Sequence, residues 1–143
     1  MTDLPRLVSR RRSGVHWVEE ALSPAAARRA AAEEGWDFAR VDGARTTGKR
    51  SFLAATAAAL AFPEGLGRNW DALEDALRDL SWRKGTGTLL LWSPVAPLAG
   101  RDPESFRTAV DVLRESAAWW VGRDRPLLVL LGGAPVATRG SAR

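Results

Sequence analysis

The sequence predicts an α/β fold, a small parallel β-sheet packed by helices. Two apolar runs of strand length, Thr88 to Trp92 and Leu127 to Leu131, show no alternation with polar residues and therefore read as strands covered on both faces. Around them lie segments of helical periodicity that begin with capping residues, and strands alternating with helices build a parallel sheet. A length of 143 residues, with 45% apolar and 27% charged side chains, suits one domain that can bury a core without cross-links.

The elements follow in chain order. Residues 1–14 contain Arg6, Arg10, Arg11 and Arg12 with no apolar run behind them, so they are expected to form a disordered basic arm and not a signal peptide. Val15 to Val18 is a short apolar piece suited to an edge strand. Ser23-Pro24 supplies an N-cap and a proline at the first helical position, a helix runs from Ala25 to Glu34, and Gly35 stands where a left-handed cap is wanted. Trp36 to Val41 reads as a strand ending at Asp42-Gly43. A second helix spans Ser51 to Ala61, with Phe52, Thr56, Ala59 and Leu60 at helical spacing, until Pro63 stops it and a Gly- and Pro-rich loop, Phe62 to Arg68, follows. Asn69 caps the next helix, whose Trp70, Leu73, Leu77 and Leu80 form one apolar stripe. After the strand at Thr88, Asp102-Pro103 caps a helix reaching to around Trp120, with Phe106, Val110, Leu113 and Ala117 inward. The strand from Leu127 closes a single domain over 15–131, leaving 132–143 as a flexible C-terminal tail.

Composition removes many chemistries. With no Cys, one His and no Tyr, thiol nucleophiles, cysteine-bearing zinc sites, iron-sulfur clusters, tyrosine bases and multi-histidine metal centres are excluded. No cofactor and no metal are expected, and the reading is of a cytoplasmic protein that does not engage a membrane. The net charge of +4 is concentrated in the ends: residues 1–14 carry +3 and 132–143 carry +2, which leaves −1 for the body. Nucleic acid is therefore not the expected partner. Within the body, residues 62–80 hold Glu64, Asp71, Glu74, Asp75 and Asp79 against Arg68 and Arg78, a local excess of −3.

Three places could carry function. Gly43 to Lys49 has the G-x-x-x-x-G-K spacing of a phosphate-binding loop, but Arg50 stands where a Ser or Thr must hold magnesium, and Ser51 comes one residue late. His16 lacks a neighbouring nucleophile or carboxylate and reads as a surface or edge-strand residue. The third place is Gly67-Arg68-Asn69-Trp70-Asp71-Ala72-Leu73-Glu74-Asp75. Asp71–Asp75 and Asp75–Asp79 are like-charge pairs one turn apart, each costing an isolated helix about 0.2 to 0.5 kcal/mol. Asp71 suits the positive end of the helix and Glu74 can pair with Arg78. For Asp75 two readings stay open, an ordinary solvated face or a carboxylate placed for an external cation.

The pattern G-x-N-x-D-A-L-x-D-x-L, after a helix that ends in Phe62-Pro63-Glu64, resembles the barstar family of ribonuclease inhibitors. The resemblance continues through Leu89 to Trp92, Val112 to Glu115 and the terminal apolar strand, covering about 37–131. Residues 1–35 lie outside it, as an additional N-terminal strand-helix unit. The resemblance implies a barstar-like fold and an intracellular, non-catalytic inhibitor, monomeric until it meets a small basic ribonuclease whose active site it blocks. It places Asp75 on the family's central anchor, Asp71 on the supporting carboxylate, and Gly67 and Asn69 on the loop-to-helix contact. Trp70 and Glu74 fall on the same helix, and Glu115 on the acidic position of a neighbouring one. Three features depart from the pattern: Gly65-Leu66 replace aromatic residues, Glu74 replaces a tryptophan, and the whole chain is basic. Alternatives are the same fold turned to another basic protein or a regulatory partner, a nucleotide binder at Gly43 to Lys49, and RNA contact through the arginine arms.

Overall fold

The computed structural model describes residues 2–133. Its elements are α1 (Leu4–Ser9), β1 (Gly14–Val18), α2 (Pro24–Glu33), β2 (Asp37–Asp42), α3 (Lys49–Ala59), α4 (Trp70–Leu77), β3 (Thr88–Ser93), α5 (Ala96–Arg101), α6 (Pro103–Trp119) and β4 (Leu127–Gly132). The four strands form one all-parallel sheet in the order β1-β4-β3-β2, so β1 and β2 are its edges. This is the α/β architecture expected from the apolar runs. Every residue of β3 and β4 is buried, because helices cover both faces.

Side-chain alternation along the two central strands divides the core. Leu90, Trp92, Leu127, Val129 and Leu131 point toward α3, α4, α5 and α6, where Phe52, Leu73, Leu77, Phe106 and Leu113 complete the main cluster. Leu89, Leu91, Leu128 and Leu130 point the other way and meet Leu4, Val8, Leu22, Ala27, Ala30 and Ala31. The N-terminal unit thus covers an entire face of the sheet. At the end of β2, Gly43 passes so close to the Pro94 carbonyl that any side chain there would collide with it.

Residues 4–9, expected in a disordered arm, form α1 instead. Asp3 accepts from the Arg6 backbone N–H (3.2 Å), Pro5 lies in the first turn, and Leu4 and Val8 bury one helical face. The density of arginines around that i,i+4 apolar pair hid it. Arg11 is also engaged: it donates to the Thr86 carbonyl (2.9 Å) and lies over the Trp36 ring. Part of the charge assigned to the arm therefore belongs to the folded surface. Two further differences concern length. The apolar stripe carried the fourth helix to Leu80, whereas α4 ends at Leu77 and Leu80 adopts a left-handed conformation (φ 53°) while staying buried. The short α5 falls between predicted elements, its pattern interrupted by Pro97 and Gly100. At the other end, Gly132 closes β4, and 134–143, the remainder of the expected tail, lie outside the described residues.

The start of the chain is clasped to the loop after β1. Thr2 donates to Glu19 through its backbone N–H (3.1 Å) and its hydroxyl (2.7 Å), and these bonds hold the Glu19 carboxyl at about 2 against an ordinary 4.5. A carboxyl lowered in the folded state stabilises fully above its unfolded value and loses that contribution as pH falls from about 4.5 to about 2. The protection of the α1 amides against hydrogen exchange, taken relative to their intrinsic rates, is expected to fall across that window, and Glu19→Gln is expected to abolish this acid dependence. An unchanged profile in Glu19→Gln would disprove the clasp.

Candidate partner-binding site on the fourth helix

An eight-residue helix such as α4 is marginal by itself, so its order comes from its surroundings. At its N-terminus the Asn69 side chain accepts from the Ala72 backbone N–H at 2.7 Å. A Cβ on Gly67 would stand 3.3 Å from the Asn69 amide nitrogen, so the bare backbone there leaves this cap room. Beneath, Leu73, Ala76 and Leu77 are buried, the two leucines in the main core. At the C-terminal end the Trp120 indole donates to the Leu77 carbonyl (2.7 Å) and Arg125 donates to the Leu80 carbonyl (2.7 Å). The Trp120 bond satisfies a carbonyl that the helix end leaves open, and Arg125 places a cation just beyond the negative pole.

The neighbouring α3 is finished in the same way. The Leu60 carbonyl accepts from the Trp82 indole (2.9 Å) and from Arg83 (3.2 Å). Arg83 and Arg125 both approach the Asp37 carboxylate at the start of β2, at 3.8 and 3.6 Å, and Asp37 also accepts from the Gly85 N–H at 2.6 Å. One carboxylate thereby links the ends of two helices to the sheet. None of these anchors is visible in the sequence, because each joins residues 22 to 88 positions apart along the chain.

The outer face of α4 presents the carboxylates. Asp71 and Asp75 are exposed one turn apart, and no ion pair among the described residues engages either. Glu74 is half-buried and bonded to Arg78 at 2.6 Å. Trp70, also half-buried, packs on Phe52 with ring centroids 6.0 Å apart and lies under Lys49. Glu115 is exposed on α6, one turn from Val112 and Trp119, which join the same core cluster as Leu73 and Leu77. The structure therefore brings Gly67, Asn69, Trp70, Asp71, Glu74 and Asp75 together and sets Glu115 on a helix packed against theirs.

A family model described as barstar (barnase inhibitor) matches residues 36–132. The chain belongs to the barstar family. A search of curated proteins finds no match. The barstar match begins at Trp36, so α1, β1 and α2 are additional to the part of the chain that carries the family pattern. The other two candidate places lie elsewhere in the fold, one at the start of α3 and one on β1. The Oγ of Ser51, the residue that comes one position late for the phosphate-loop pattern, accepts from the Thr47 and Gly48 N–H groups (3.0 and 3.1 Å) and closes the start of α3. His16, outside the barstar match, is exposed on edge strand β1.

Sequence reasoning missed a cluster of opposite charge beside this barstar helix. Lys49 and Arg50 of α3 and Arg68 of the preceding loop line a cleft of about 570 Å³ together with Leu53 and Ala54. The separation of Arg68 from the other two along the chain concealed it.

Proposed function

We propose that this barstar-family protein inhibits a small basic ribonuclease by lodging α4 and the loop before it in the enzyme's catalytic cleft, without catalysing any reaction. The observation that carries this reading is the exposed Asp71–Asp75 pair on a helix fixed at both ends and along its underside. A cleft built to hold RNA phosphates offers cationic donors, and carboxylates held in place form charge-assisted hydrogen bonds with them at little ordering cost. Asn69 and Gly67 shape the approach, Trp70 supports it from below, and Glu74 and Glu115 extend the negative surface at its rim.

The proposed setting is the cytoplasm of a cell that makes such an enzyme, with the inhibitor a monomer until bound. No helix among the described residues is long and apolar enough to cross a membrane. Titration of barnase with the purified protein tests the function. RNA cleavage is expected to fall in proportion to added protein, with an end point at one inhibitor per enzyme and association that slows as salt rises. Undiminished cleavage at a tenfold excess would reject the inhibitory reading in favour of a different basic partner for the same fold.

A further inference from the structure

The ridge on α4 does not stand in a uniformly negative surface. Lys49, Arg50 and Arg68 are all exposed, and no ion pair among the described residues reaches them. Arg68 lies three residues before Asp71, and the Lys49 ammonium is 5.8 Å from the centroid of Trp70, the residue between Asn69 and Asp71. The cations border the acidic ridge directly. The Asp102 carboxylate, which accepts from the Ser105 backbone N–H at 3.1 Å, forms no ion pair with the Lys49 ammonium among the described residues. Beneath Arg68 the loop rides over α3 with open space, so the cleft can accept a side chain from outside.

We propose that Lys49, Arg50 and Arg68 fall inside the ribonuclease footprint and select an enzyme that sets a carboxylate beside its cationic catalytic cleft. This rests on the inhibitory reading of α4. A ribonuclease with an entirely cationic rim would meet like charges there when Asp75 is engaged, and such juxtapositions act against wrong partners. An Asp or Glu on the rim instead enters the cleft, where Arg68 and Arg50 offer forked donors and Lys49 a point charge. The recognition surface is thus bipolar, with anions on α4 and cations where α3 meets the loop.

Charge reversal on both sides tests this. The inhibitor is made as wild type, as the triple variant Lys49→Glu, Arg50→Glu, Arg68→Glu, and as Asp75→Ala, each checked by its melting curve. The enzyme is barnase, as wild type and with each Lys or Arg bordering its cleft changed singly to Glu. For at least one enzyme variant, wild-type inhibitor is expected to bind at least tenfold tighter than it binds wild-type barnase, and the triple variant at least tenfold more weakly. That reciprocal change of sign is what a merely solvated patch cannot produce. Differences below twofold for both inhibitor forms across all rim variants, with Asp75→Ala still losing a hundredfold or more, overturn the bipolar surface and leave the inhibitory helix standing. If Asp75→Ala also binds like wild type, or neither inhibitor form binds any enzyme variant, the reading of α4 fails and this inference with it.

Discussion

Asp75→Ala is expected to remove most of the affinity for the ribonuclease while leaving the free protein as stable as before. In the free state this carboxylate is exposed and lies one turn from Asp71 on α4, with Asp79 just beyond the helix end. Removing it relieves repulsion of about 0.2 to 0.5 kcal/mol from Asp71 and improves helix propensity, so the melting temperature should hold or rise slightly. In the complex the same truncation leaves desolvated cationic groups without a counter-charge, at a cost of about 2 to 5 kcal/mol or more. That range comes from charged interfaces such as the barnase–barstar pair itself and is inherited by this helix, not calculated from it. Asp71→Ala should cost less, because Asp71 also has a role at the positive end of the helix. Paired melting and inhibition curves distinguish the two effects. An Asp75→Ala protein that melts well below wild type, or inhibits as well as wild type, contradicts the role assigned to α4.

The second large effect concerns the part of the chain outside the barstar match. A protein starting at residue 36 is expected to fail to fold as a monomer. Its removal of α1, β1 and α2 would bare Leu89, Leu91, Leu128 and Leu130, each fully buried in the intact chain. Burying one leucine contributes about 1.5 to 3 kcal/mol, so four approach the roughly 5 to 15 kcal/mol that stabilises a whole domain. The figure is an upper bound, since unfolded chains already bury some of this surface. The same cut turns β4, with its apolar run from Leu127 to Leu131, into an edge strand open to pairing with other chains. Size-exclusion chromatography and thermal unfolding of residues 36–143 provide the check. A monodisperse, cooperatively melting fragment would show that the core stands without its N-terminal cover.

What the sequence revealed and what it concealed divide along the distance over which each interaction acts. The uninterrupted apolar strands at Thr88 and Leu127, the Asn69 cap and the Asp102-Pro103 helix start are local signals, and all of them appear in the structure. Glu74–Arg78 pairing, an i,i+4 contact, was equally legible. α1 did leave a trace in Asp3, Pro5 and the Leu4–Val8 spacing, but four arginines within the same fourteen residues outweighed it. The end of α4 could not be read from periodicity, because Leu80 continues the apolar stripe while its backbone turns away to place its carbonyl before Arg125. The anchors of Trp82, Trp120 and Arg125, and the meeting of Arg68 with Lys49, depend on tertiary neighbours that no local pattern encodes.

The place of β1 in the sheet bears on how the molecule is made. Gly14 pairs with Leu128 and Val18 with Gly132, so an early strand has as its partner the last one described. On the ribosome β1 emerges well before β4, so the edge it pairs with does not exist until more than a hundred further residues have been synthesised. Until then Leu4, Val8 and the alanine face of α2 have no sheet to cover, and docking must close a contact across more than a hundred residues. The sheet therefore cannot be completed before β4 has left the ribosome. For a protein proposed to restrain a ribonuclease, inhibition would begin only once these distant parts of the chain have joined.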